Sequence, residues 1–187
     1  MIYTEYKTAA LRHLKTCKFI LQKIKQDNLP VPTQRQYYYN AYYLAGHSIE
    51  AVVTYAIYDY IGYPENENVK DLNNSHALAQ AYDVVFRGNK RFKIIHHNFQ
   101  ENINFFHYHN INNLQSIPFI GYRLDSTLQN MFDNWDPEIR YTTLLDIDTQ
   151  HKTKRIDLQP IPSEFFEKFV IATEKKYTGI NSLITKS

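Results

Sequence analysis

"AYYLAGHSIEAVVTYAIYDYIG", Ala41 to Gly62, reads as one long apolar helix that carries Gly46, His47 and Glu50 near its middle. A glycine inside a helix costs about 1 kcal/mol relative to alanine. A carboxylate in a buried helix is costly unless it is paired. The residues around them still repeat at helical spacing. One stripe holds Tyr38, Ala41, Tyr42, Ala45, Ile49, Val52, Val53, Ala56 and Tyr60. A second holds Tyr43, His47, Glu50, Thr54, Ile57 and Ile61. A helix loaded on two faces has neighbours on both, so this one, expected from about Arg35 to Ile61, is central. Gly46 then allows a neighbouring helix to approach closely. Glu50 lies within hydrogen-bonding reach of His47 and Thr54, and if buried it also needs a cation.

Working outward, Tyr3 to Gln26 is a helix, with Ala9, Leu11, Leu14, Phe19, Ile20 and Ile24 recurring at three- and four-residue steps. The prolines of "DNLPVPTQ" end it, because proline lacks the backbone donor a helix needs. "GYPENENVKDLNNS" is expected as a loop. "SHALAQAYDVVFRG" is expected as a short helix, with Ser75 as N-cap and Gly88 as C-terminal cap. "NKRFKIIHHNFQENINFFHYHN" is also read as helical, with Phe92, Ile95, Phe99, Ile103 and Phe106 in step. "DSTLQNMFDNW" is a helix capped by Asp125 or Ser126, and the last helix starts at Pro162–Ser163. The stretch 141–161 is irregular or strand-like. The whole is an all-α chain, a single domain over 1–187 forming an up-and-down bundle of about five helices.

Bulk properties narrow the function classes. Hydrophobic residues make up 43% and charged residues 21% of 187, a globular balance. The net charge of +2 gives no global field for nucleic acid, so any such site is a local patch. The densest basic stretch is "RGNKRFK", with Arg87, Lys90, Arg91 and Lys93, interleaved with Phe86, Phe92 and Phe99. Such a stretch reads either as a phosphate site with bases stacked nearby or as a solvated basic face. His151 to Arg155 forms a second basic cluster. The single Cys17 cannot form an internal disulfide and reads as a buried, inert thiol in a reducing, cytoplasmic setting. The sequence shows no signal peptide and no run apolar enough to span a membrane. His96, His97, His107 and His109 lack the helical spacing that makes ligands converge, so no metal site is expected. No glycine-rich phosphate loop is present, and no cofactor is expected.

Three segments together carry a resemblance. "AYYLAGHSIEAVVTYAI" resembles the central helix of HEPN (higher eukaryotes and prokaryotes nucleotide-binding) proteins. "SHALAQAYD" is similar to the family's His-x-Leu helix start, and "WDPEIRY" to its Trp…Arg-Tyr segment before the last helix. The resemblance implies a homodimeric helical bundle with an RNA-directed role in a bacterial toxin–antitoxin, defence or stress context. That role is RNA binding or metal-independent RNA cleavage, with RNA or a nucleotide and a cognate antitoxin or partner protein as partners. The alternative is a non-catalytic module that binds a nucleotide or a protein. The ribonuclease members carry Arg, four to six residues, then His. Arg91 and His96 fit that spacing in "RFKIIH", with His97 one residue further, although Phe92 stands where a polar residue is usual. In this reading His96 moves a proton while Arg91 stabilises the charge growing on phosphorus. Arg87, Lys90 and Lys93 are the expected phosphate contacts. Glu50 and Arg140, the latter in "EIRY", are the expected structural polar pair.

Overall fold

The computed structural model describes residues 2–82, 85–86, 90–91, 102, 105–106, 126–133, 135 and 161–184. Among them are six helices: α1 (Thr4–Gln26), α2 (Val31–Tyr60), α3 (Val69–Asn74), α4 (His76–Ala81), α5 (Ser126–Asp133) and α6 (Ser163–Ile184). Two short strands, β1 (Val85–Phe86) and β2 (Lys90–Arg91), pair antiparallel. The chain is an all-α helical bundle, and α1, α2 and α6 each pack against the other two.

The helix α2 is the axis. At 30 residues it runs about 45 Å, and from 39 to 58 none of its residues is exposed. It starts earlier than expected, because Pro32 falls in the first turn, where no intrahelical donor is required. It ends in a Schellman motif: Gly62, at φ 66°, donates to the Asp59 carbonyl, and the Tyr63 N–H donates to the Tyr58 carbonyl. The Tyr58 and Tyr63 rings, 5.5 Å apart, supply the apolar contact that accompanies this cap. Tyr60 is a correction to the expected core stripe, since it is exposed beside that cap.

The helices α1 and α2 run antiparallel and lie close. Cys17 Sγ donates to the Ala41 carbonyl at 3.3 Å, and Ser48 Oγ donates to the Ala10 carbonyl at 2.9 Å. The buried face of α1 is Ala10, Leu14, Cys17 and Ile24. Leu11 and Phe19, expected inside, are exposed. The stripe runs through small residues that admit the neighbouring backbone, which hydrophobic size alone does not flag. Cys17 is buried as expected, and burial pushes its thiol up to about 12. The ladder Lys18–Glu174 (2.8 Å) and Lys25–Glu167 (2.7 Å) sets α6 antiparallel to α1. Tyr38 against Phe166 and Tyr42 against Phe169, 5.5 and 4.8 Å between ring centroids, set α6 parallel to α2.

The middle of the chain departs further from the sequence reading. The expected loop before Ser75 contains α3, because Asn68 caps it by accepting from the Lys70 N–H at 3.0 Å and Val69 and Leu72 are buried one turn apart. Ser75 does cap the following helix, accepting from the Leu78 N–H at 3.2 Å. That helix ends at Ala81, not Gly88, and Val85–Phe86 form a strand. Val85 and Phe86 are residue types that favour a pleated strand. Lys90 and Arg91, expected on a helix, lie on the second strand. Asn102, Phe105 and Phe106 have helical backbone, as expected for that segment, and are buried; of the three, only Phe106 belongs to the expected stripe. The start of α6 is as expected, and so is a helix over Ser126–Asp133. Asp125 and residues 141–160 of the irregular stretch lie outside the described residues.

Candidate functional site

The strand pairing fixes the geometry of the basic stretch. Val85 faces Arg91 and Phe86 faces Lys90 in register, so two aromatic or apolar positions and two cationic positions share two rungs. Lys90 and Arg91 are adjacent in one strand, and Arg87 follows Phe86 directly in sequence. Adjacent positions of a strand alternate between its two faces, so Lys90 and Arg91 stand on opposite faces of the pair. Arg87, Lys93, His96 and His97 lie outside the described residues, as do His107, His109, the second basic cluster and Arg140. The Arg91–His96 and Glu50–Arg140 pairings are thus each represented by one member.

Glu50 is buried on α2, only 8% exposed. His47 lies one turn away, with Nδ1 3.1 Å from Glu50 Oε2. The hydrogen bond expected from the spacing is present. The His47 ring stands edge-to-face with Tyr43 (4.5 Å) and with Trp135 (5.0 Å). His13 of α1 sits across the helix interface, its ring 5.9 Å from that of His47. Burial lowers the His13 pKa, and the neighbouring His47 and Arg12 lower it further, while Glu50 opposes them. Burial raises the Tyr6 hydroxyl, with the charge of Glu50 adding to it. Two imidazoles, one carboxylate and three aromatic side chains thus meet where α1 crosses α2.

Gly46 explains the placement of Trp135. A Cβ at position 46 would overlap the indole ring of Trp135, so the glycine is a notch that seats it. The close neighbour at Gly46 is this single side chain rather than a crossing helix. Trp135 is 7% exposed and follows α5, whose Met131 carbonyl accepts from the Tyr42 hydroxyl.

Three features were not singled out from the sequence as parts of a site. His13 joins His47 only once the antiparallel register of Ala10 with Ser48 and Cys17 with Ala41 is known. The Gly46–Trp135 seat joins residues far apart in the chain. Lys176 of α6 is buried, and burial lowers its amine to about 7. Its position in "EKKYTG" gives no hint of this, since Lys175 beside it is exposed.

Among the described residues, no group of three or more His, Cys, Asp or Glu side chains converges as a metal site. No described helix is long and apolar enough to cross a membrane. Compared with protein-family models, with characterised proteins and with solved structures, the chain yields no match.

Proposed function

We propose that this bundle has an RNA-directed role, binding RNA or cleaving it without a metal, in a bacterial toxin–antitoxin, defence or stress context. The observation that supports it is the antiparallel pairing of Lys90–Arg91 with Val85–Phe86. It sets Lys90 and Arg91 opposite Phe86 and Val85, cationic positions paired with an aromatic and an apolar one, in a chain whose net charge is only +2. A local patch of this kind is what phosphate recognition requires of a nearly neutral protein. The resemblance to HEPN proteins supports the same reading and carries the catalytic assignment. His96 moves the proton of the attacking 2′-hydroxyl. Arg91 stabilises the pentacovalent phosphate as the 5′-oxygen leaves, giving a 2′,3′-cyclic phosphate and a 5′-hydroxyl. Arg87, Lys90 and Lys93 hold neighbouring phosphates. The resemblance also supports a homodimer in which Arg91 and His96 of two copies line one cleft.

Incubation of purified protein with end-labelled RNA in EDTA tests the reading. Cleavage to cyclic-phosphate ends, lost in both His96→Ala and Arg91→Ala, is expected if the chain is a ribonuclease. RNA retention without cleavage leaves the binding role. Absence of both, at low salt, overturns the RNA-directed reading in favour of a module that binds a nucleotide or a protein.

A further inference from the structure

We propose that the outward face of α1, from Leu11 to Lys23, is a track for single-stranded RNA, on which Phe19 stacks a base while Arg12, Lys15 and Lys23 hold phosphates. The proposal rests on the RNA-directed reading and adds to it a site on the long helices, in residues that reading does not use. The charge of those helices is segregated. α1 carries six cations, Lys7, Arg12, Lys15, Lys18, Lys23 and Lys25, against one acid, Glu5. α2 carries one cation against two acids, and in α6 three of each cancel. The excess of five positive charges on α1 is larger than the net +2 of the whole chain. Part of that excess is consumed inside the fold. Lys18 and Lys25 hold Glu174 and Glu167 of α6, and Lys7 lies over the Tyr55 ring. Among the described residues, Arg12 and Lys15 are exposed with no acid at ion-pair distance. Lys23 reaches Asp27 only at 4.0 Å, an exposed pair that a phosphate displaces at little cost.

Phe19 lies in the middle of these cations. Lys15 and Lys23 stand four residues to either side of it, so the three share one line along the helix, with Arg12 at its end. From Arg12 to Lys23 the line is roughly 17 Å long, at the rise of an α-helix. Phe19 is 58% exposed, and Leu11, beside Arg12 and Lys15, is 36% exposed. This interleaving selects the occupant. The centre of a protein interface is apolar and depleted in lysine. A helix lying in a membrane surface needs an unbroken apolar face. Here the two apolar side chains are separated by cations, so neither fits. A second copy of the chain would set like charges against each other. A single strand of RNA supplies both partners, phosphates for the cations and an unstacked base for the phenyl ring.

Fluorescence anisotropy of a labelled oligouridylate, titrated with the full chain, tests the track. Arg12→Ala combined with Lys15→Ala should flatten the log–log salt slope by about 1.4 with the β1–β2 stretch intact. Phe19→Ala should weaken binding by about fivefold or more at an unchanged slope, and Phe19→Trp should retain it. Phe19→Leu should behave as the alanine variant does, because it keeps apolar bulk and loses the π face. All these positions are exposed, so circular dichroism and thermal melting of the variants should match wild type. Wild-type affinity and slope in the α1 variants, alongside weakening by Arg91→Ala with Lys93→Ala, overturn the track and leave the RNA-directed reading standing. Phe19→Leu binding as wild type does overturns the stacking role. Binding to phosphatidylserine vesicles that needs Phe19, with an RNA affinity indifferent to it, assigns the face to a membrane and overturns the track. No binding of the oligouridylate by wild type at low salt overturns the track and the RNA-directed reading together.

Discussion

At the residue scale, Gly46 is where the chain's local and global preferences disagree. Helix propensity favours alanine there by about 1 kcal/mol. The seat for Trp135 forbids it, because the methyl group would occupy the space of the indole. Gly46→Ala should therefore destabilise the protein by about 1–3 kcal/mol despite the propensity gain. In a Trp135→Ala background the same substitution should be neutral or stabilising. Urea denaturation of the four proteins of that double-mutant cycle checks both statements. The oddness of Gly46 and Glu50 was legible in the sequence, since each breaks a rule of buried helices. The His47–Glu50 bond was legible too, being one turn apart on one helix. Trp135 as the occupant of the notch was not, because nothing local to either residue encodes a contact across the bundle.

At the element scale, the long helices were readable and their faces less so. The ends of α1 and the start of α6 follow from prolines and periodicity. The buried face of α1 follows only in part: Leu14, Cys17 and Ile24 are buried as expected, whereas Ala10 is buried through its closeness to α2 and Leu11 and Phe19 are exposed. The strands were misread because two-residue elements give no period. α6 adds a pH dependence. The Lys176 amine falls to about 7 in the fold through burial, against about 10.4 in an unfolded chain. Between those values the unfolded chain binds a proton that the folded chain has released. Stability therefore rises with pH across that window, and below it the buried amine carries its full penalty. Urea midpoints measured from pH 7 to pH 10 should climb more steeply in wild type than in Lys176→Met. Parallel curves would show that the amine titrates in the fold as it does in water.

At the scale of the whole molecule, three long helices supply the rigid body, with α1 antiparallel to α2 and α6. Much of the aromatic content serves that body, since Tyr3, Tyr42, Tyr58, Tyr63, Phe166 and Phe169 are buried in it. The proposed phosphate site lies instead at the short strand pair between α4 and α5. The residue types of that basic stretch were legible in the sequence, while its strand geometry was not. The central claim, that this hairpin binds RNA phosphates, is tested most directly by the salt dependence of RNA affinity. Each phosphate contact on single-stranded RNA adds about −0.7 to the log–log slope, so contacts from Arg87, Lys90, Arg91 and Lys93 give a slope near about −3. Replacing Arg91 and Lys93 with Ala should flatten it by about 1.4 for every RNA sequence alike. A flat wild-type dependence, or a slope unchanged by those substitutions, would contradict the account.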